Sequence, residues 1–227
     1  MNIWGYHFHM ETKDFVIACK PHGLPTVPLK SQFQDAPDTL LSRTGKDFPD
    51  ILKPLTPSFW EGGTVHRLDT ATAGLVLFAR NKAFMDHILS EQQAGRFIKT
   101  YRAVCSVPSS VSGTPLSAPF VISSYFRAYG QGRKMVKPET DVLRADSAVL
   151  YTTEVKAIEG NVFTVVIARG FRHQIRAHLA WKGFPIEGDS LYNPAFSAVP
   201  SGDCVLQLEC TGLRFNLPDG TPFEYSV

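Results

Sequence analysis

The sequence predicts an α+β fold built on a mixed, largely antiparallel sheet with flanking helices. Short apolar or alternating segments recur along the 227 residues, and most are joined by connections of hairpin length. Only two or three segments carry the apolar spacing of a helix. No G-x-G-x-x-G and no G-x-x-x-x-G-K-[ST] occurs, so a nucleotide cofactor held by a doubly wound parallel sheet is not indicated.

The elements follow in order. Asp14–Cys19 (DFVIAC) reads as a buried strand, and Pro21, Gly23, Pro25 and Pro28 make the next segment a rigid loop. Residues 45–64 are rich in Pro and Gly and read as loop. Leu75–Ala79 is a second apolar strand. Asn81 caps a helix over about residues 82–94, with Phe84, Met85, Ile88 and Leu89 on one face and Gly95 as its stop. Phe97–Cys105 alternates with the strand period, and residues 106–119 form a Ser/Pro/Gly-rich connector. Ala148–Ala157 and Val162–Ala168 flank Glu159-Gly160-Asn161, a tight hairpin turn. His173–Lys182 is a short helix ended by Gly183, and Val205–Cys210 and Leu213–Phe215 are late strands.

Composition bounds the class. Hydrophobic residues make up 44% and charged residues 19%, a globular balance that excludes a disordered chain. No apolar run is long enough to span a bilayer, and the first twenty residues lack the apolar core of a signal peptide. Cys19, Cys105, Cys204 and Cys210 form no C-x-x-C pair and read as reduced thiols of a cytoplasmic protein, so no metal and no disulfide frame is expected. The net charge of +2 hides a strong asymmetry. Residues 96–182 hold 13 Lys/Arg against 5 Asp/Glu, leaving 10 basic and 16 acidic residues elsewhere. Such polarisation suits a polyanion bound to one region, although solvated strand and helix faces produce charge runs too.

Three segments carry candidate chemistry. In His66-Arg67-Leu68-Asp69, a carboxylate sits on a Gly/Thr-rich loop just before a strand, where a side chain reaches a ligand; on pattern alone, a turn or ion-pair role fits it as well. In Phe97–Arg102, Lys99 and Tyr101 point to one strand face, suiting base stacking with phosphate contact, or a Tyr packed under cationic stems. Residues 169–178 (RGFRHQIRAH) gather five cationic or imidazole groups, a basic helix. Their His173 and His178 are five apart with no third ligand nearby, so they do not form a zinc motif.

These segments resemble the RluA family of pseudouridine synthases. HRLDTATAGLVLFAR (66–80) resembles its catalytic loop, FIKTYRA (97–103) its K-x-Y segment, GFRHQIRAHLAWKGFPIEGDSLY (170–192) its HQIR-x-H segment, and FVIACKPHGLPTVP (15–28) its opening strand and K-P-x-G loop. Order and spacing agree from about residue 14 to residue 215. Two positions depart from the family's G-R-[TS]-H-Q-I-R: Phe171 replaces the first Arg, and Arg172 the small hydroxyl residue.

The resemblance implies a single catalytic domain over 1–227 (core about 14–215) of pseudouridine synthase type, with an active-site cleft across the sheet. With the catalytic segment starting near Met1, no S4-type domain like that of many relatives is expected. It implies isomerisation of uridine in ribosomal or transfer RNA: the N1–C1′ bond breaks, the uracil turns, and C5 joins C1′. No cofactor is needed. Asp69 is the implied catalytic carboxylate, Arg176 its ion-pair partner, and Tyr101 the group that stacks on uracil and moves a proton at C5. Base flipping is implied, with Arg67 filling the vacated stack. His66, Arg67, Lys99, Arg133, Lys134, Arg172 and His173 are the expected RNA contacts, and Arg127 and Lys137 lie in the same polar stretch as Arg133 and Lys134. The expected partner is an RNA stem-loop bound by a monomer, with no DNA and no membrane. Two other readings compete: a nucleoside or glycoside hydrolase, which needs a second carboxylate such as Glu61 or Asp189, and a catalytically inactive RNA-binding protein on the same scaffold.

Overall fold

The computed structural model describes residues 7–35, 37–106, 118–196 and 204–227. In chain order the elements begin with strands β1 (His7–Glu11) and β2 (Phe15–Lys20), helix α1 (Leu40–Asp47), strand β3 (Ala73–Ala79) and helix α2 (Lys82–Gln93). Strands β4 (Ile98–Val104), β5 (Phe120–Tyr129), β6 (Met135–Glu139), β7 (Tyr151–Glu159) and β8 (Val162–Ile167) follow. Helix α3 (Gln174–Trp181) and strands β9 (Leu208–Asn216) and β10 (Pro222–Ser226) complete the chain. The mixed, mostly antiparallel α+β class is the one the sequence predicts. Where the sequence reading expects one domain, the chain divides into two compact units, residues 1–97 with 209–227, and residues 98–208.

In the first unit the strands run β1-β2-β3-β9, with β10 on β9. The β3–β9 pair is parallel and the others are antiparallel. Every residue of β2 and β3 is buried, which explains their continuous apolar runs. Phe15, Phe84 and Phe215 pack stacked or edge to face in the core, and the half-buried Phe223 lies against Phe15 and Phe215. Gly74 lets β3 close on β9, because a Cβ there would lie 2.3 Å from the Cys210 carbonyl oxygen. Asn81 caps α2 as expected, accepting from the Phe84 amide at 2.9 Å.

The second unit orders its strands β4-β8-β7-β5-β6, all antiparallel. The β7–β8 hairpin turns at Gly160, whose φ of 64° is the left-handed conformation the turn requires. Helix α3 packs against β6 and β7.

The structure departs from the sequence reading at several elements. Strands β1, β5, β6 and β10 lie where no strand was read; β5 buries only alternate residues over part of its length, and β10 is half exposed throughout. Helix α1 begins before, and runs into, the segment read as loop. Its Gly45 is seated under Leu52, where a Cβ would meet Cδ2 at 2.4 Å. The two late strands are one, β9, whose residues Glu209 and Cys210 pair with β3 and whose residues Gly212–Asn216 pair with β10. Most of the connector read over 106–119 lies outside the described residues.

Candidate active site

In the first unit, the loop carrying Asp69 is bracketed at both ends. Gly63 donates to the Ile51 carbonyl and accepts from the Ala79 amide, both at 2.7 Å, and Val65 donates to Leu77 at 3.0 Å. A Cβ on Gly63 would lie 2.0 Å from the Ala79 carbonyl oxygen, so the close approach needs glycine. Thr26 meets Leu68 twice: its hydroxyl accepts from the amide at 3.1 Å and donates to the carbonyl at 2.9 Å. The Thr72 amide closes a turn on the Asp69 carbonyl at 3.0 Å. Asp69 itself is half-buried.

Lys20 is the residue sequence reasoning missed as part of this site. It ends β2 in the K-P-x-G segment and is 0% exposed. Its ammonium donates to the carbonyls of Pro21, Leu24 and Thr70 at 3.0, 2.7 and 3.0 Å, so it ties its own loop to the residue after Asp69. Burial pushes this amine down to about 7, against the opposing pull of the Asp69 carboxylate. Gly23 and His22 add bonds to Thr70 and Ala71 at 2.9 and 2.8 Å. The result is a carboxylate on a main-chain scaffold held from below by a buried cation.

In the second unit, α3 carries the basic segment. Gln174 donates to the Thr152 carbonyl and the Thr153 hydroxyl at 3.0 and 3.1 Å and accepts from the Phe171 amide at 2.9 Å. These bonds anchor the helix to β7. His173, in the left-handed region at φ 56°, meets Tyr192 Oη at 3.1 Å, and that hydroxyl accepts from the Val136 amide at 2.7 Å. Arg176 makes a two-pronged pair with Asp189: Nε to Oδ2 at 2.8 Å and Nη2 to Oδ1 at 2.7 Å. The two side chains are 5% and 0% exposed. Asp189 also accepts from the amides of Leu191 and Tyr192 at 2.9 and 3.1 Å, and the Tyr192 ring lies 5.3 Å from the guanidinium. Only Asp189's availability as a carboxylate was legible in the sequence; the pairing was not.

The two family departures have local reasons. Phe171 stacks on Phe126 at 4.9 Å and 6° and packs against Tyr151, joining the apolar cluster of Phe126, Val136, Tyr151 and Ala177. Arg172 donates from Nη2 to the carbonyls of Arg133 and Met135 at 2.7 and 3.2 Å, gripping the connection between β5 and β6.

The other sequence-predicted residues fall into two groups. Arg67, Arg133 and Lys134 are exposed; Arg67 pairs with Glu61 at 2.8 Å and Arg133 with Asp146 at 3.2 Å. Lys99 and Tyr101 share a face of β4 as expected, and both are buried. His66 faces inward: Nε2 accepts from the Leu77 amide at 3.3 Å and the ring packs at 5.4 Å from Phe97.

His178 is fully buried in α3, with Nε2 2.8 Å from Ser124 Oγ and Nδ1 2.8 Å from Thr153 Oγ1. Burial pushes its imidazole down from 6.5 to about 4, and the Lys182 ammonium adds to the effect. Between those values the unfolded chain binds more protons than the folded one, so the stability is complete above about pH 6.5 and is lost as pH falls toward 4. At about 1.4 kcal/mol per unit, the loss is about 3 kcal/mol. Urea melts at neutral and mildly acidic pH should show this loss, and His178→Gln, which does not titrate, should flatten it.

The fold and the clamped carboxylate loop fall within one known class. The chain belongs to the RNA pseudouridylate synthase family, whose model matches residues 14–181. It is 34% identical over 132 residues to a Chloroflexus aurantiacus protein named as an uncharacterized RNA pseudouridine synthase, covering 58% of this chain and 39% of that one. It is 28% identical over 191 residues to ribosomal large subunit pseudouridine synthase D of Pseudomonas aeruginosa, covering 84% and 54%. RNA pseudouridine synthase 6, chloroplastic, of Arabidopsis thaliana is 27% identical over 216 residues, covering 85% and 41%. The chain thus spans about half the length, or less, of these curated relatives. Among solved structures, human RNA pseudouridylate synthase domain containing 1 shares the fold, with a TM-score of 0.70 at 20% identity over 100% of this chain and 84% of that one. Among the described residues, no helix is long and apolar enough to cross a membrane.

Proposed function

We propose that this chain isomerises uridine in ribosomal or transfer RNA to pseudouridine, with Asp69 as the catalytic carboxylate. The observation that carries the proposal is the Asp69 loop: a family-matched HRLD whose main chain is fixed by Thr26 and by the buried Lys20 ammonium. Fixing a carboxylate before the substrate arrives reduces the ordering left for the reaction itself. The isomerisation conserves all atoms of the nucleotide and needs no oxidant or external energy. Asp69 supplies negative charge or a nucleophile at the sugar or base. Tyr101 has the stacking and proton-transfer role the family resemblance gives it. Arg176 is a positioning residue, with its guanidinium oriented by Asp189. The basic balance of residues 96–182 supplies phosphate attraction. The substrate we favour is a compact stem-loop, bound by a monomer in the cytoplasm, and the whole chain from 1 to 227 acts as one catalytic domain of two units. The deciding experiment maps pseudouridines in total RNA with and without this gene. A site lost on deletion and restored by the purified protein supports the reading; an unchanged map, or release of free uracil, overturns it.

Arg67 is the proposed flipping residue. Its side chain is 63% exposed, and its pair with Glu61 is of the surface kind, worth about 0–1 kcal/mol, so it is readily released. Filling the stack offsets part of an unstacking cost of a few kcal/mol, which arises only when the target is stacked or paired. Arg67→Ala should therefore slow modification of a structured stem-loop more than that of a short flexible strand, compared at saturating enzyme. Equal fractional losses on both RNAs would leave Arg67 as a phosphate anchor.

A further inference from the structure

We propose that His7, His9 and Cys19 form a metal site in the first unit, suited to a borderline-soft divalent cation such as Zn2+. The donor atoms of the three side chains all lie within 4.8 Å of one another. The backbone explains the convergence. In the antiparallel β1–β2 pair His7 stands opposite Cys19, and directly paired residues share a sheet face. The register shifts between Phe8, paired with Ala18, and Met10, paired with Ile17, so His9 is the extra residue of a bulge. Bulges re-aim side chains, and this one leaves the two imidazoles 4.3 Å apart at 46°.

A second observation is independent of this spacing. His9 Nδ1 meets the Tyr225 hydroxyl on β10 at 3.2 Å, which fixes the ring in the manner of an outer partner to a metal-bound imidazole. Its Nε2 is buried and has no hydrogen-bond partner among the described residues. A buried polar atom left in this state calls for an explanation, and an ion is one.

The donor set selects the ion. Two imidazoles and one thiolate exclude Mg2+ and Ca2+, which take oxygen ligands, and fit Zn2+, with a fourth position left for water. His7 is exposed and gives an entry path. The Cys19 side chain is buried and ligates a metal as the thiolate. Binding therefore breaks the Sγ–H bond, forms a metal–sulfur bond and releases one proton to solvent, with no change of oxidation state. Because β1 is an edge strand, the ion would pin it to β2. The sequence hides the site, since two ligands lie on one strand and the third lies on the next.

The test uses the full chain with Co2+ as a spectroscopic probe and Zn2+ as competitor. The expected result is one Co2+ per chain with the visible bands of a four-coordinate site and a thiolate-to-cobalt charge-transfer band, all abolished by added Zn2+. Zn2+ should also raise the melting temperature. Cys19→Ala should remove the charge-transfer band. His7→Ala, at an exposed position that leaves folding intact, should weaken binding by roughly tenfold or more. Absence of the charge-transfer band in the parent, or parental affinity in His7→Ala, overturns the proposal.

Discussion

Asp69→Asn is expected to abolish pseudouridine formation in a chain that keeps its fold and its affinity for RNA. The substitution is nearly isosteric and removes the negative charge. Loss of a group at the centre of the chemistry is expected to reduce turnover by about four orders of magnitude or more. The fold should tolerate it because the loop is shaped through main-chain atoms: Thr26 holds Leu68, Thr72 holds the Asp69 carbonyl, and Lys20 holds the Thr70 carbonyl. Single-turnover assays on an RNA that the parent modifies, run beside urea melts and an RNA-binding titration, separate the three quantities. Turnover near the parental rate would remove Asp69 from its role, whereas lost binding would assign it to recognition.

Asp189→Ala costs more stability than any other single change proposed for this chain. It leaves the Arg176 guanidinium buried without the carboxylate that meets two of its nitrogens, and it takes an acceptor from the amides of Leu191 and Tyr192. Breaking a buried pair from one side costs about 3–5 kcal/mol. For a chain of this length, that lowers the melting temperature by about 10 °C. Tyr192 is released with it, and through Tyr192 so are His173 and Val136. On the proposed positioning role of Arg176, activity should fall even at temperatures where the variant is folded. Arg176→Lys should fail similarly, since an ammonium does not reproduce a planar two-pronged contact. Removing both side chains together should cost less than the sum of the single changes, as neither is left buried without the other. Denaturant melts of the two single variants and the double variant read this coupling directly. Additive losses would mean that the pair is not a unit.

How much was legible differs element by element, for local reasons. Strands β2 and β3 and helix α2 were readable because their apolar residues follow a short period or an unbroken run, and Asn81 and Gly95 mark the ends of α2. The β7–β8 hairpin was readable from its turn glycine. Strands β5 and β10 were not, since partly exposed strands carry polar residues that resemble a loop, and β6 was hidden by Pro138 and its charged Lys137 and Glu139. Helix α1 was hidden by Gly45, which tertiary contact with Leu52 makes acceptable.

The sequence by itself determined the fold class, the family, and the short motifs that hold Asp69, Tyr101 and Arg176, because turn chemistry, apolar period and motif spacing are local properties of the chain. Only the tertiary structure decided partners. Lys20 finds the Thr70 carbonyl across 50 residues, Arg176 finds Asp189 across 13, and Phe171 finds Phe126. A buried ammonium or guanidinium is stable only where packing brings acceptors to it, and which acceptors arrive is set by strand register and loop closure rather than by neighbours in sequence.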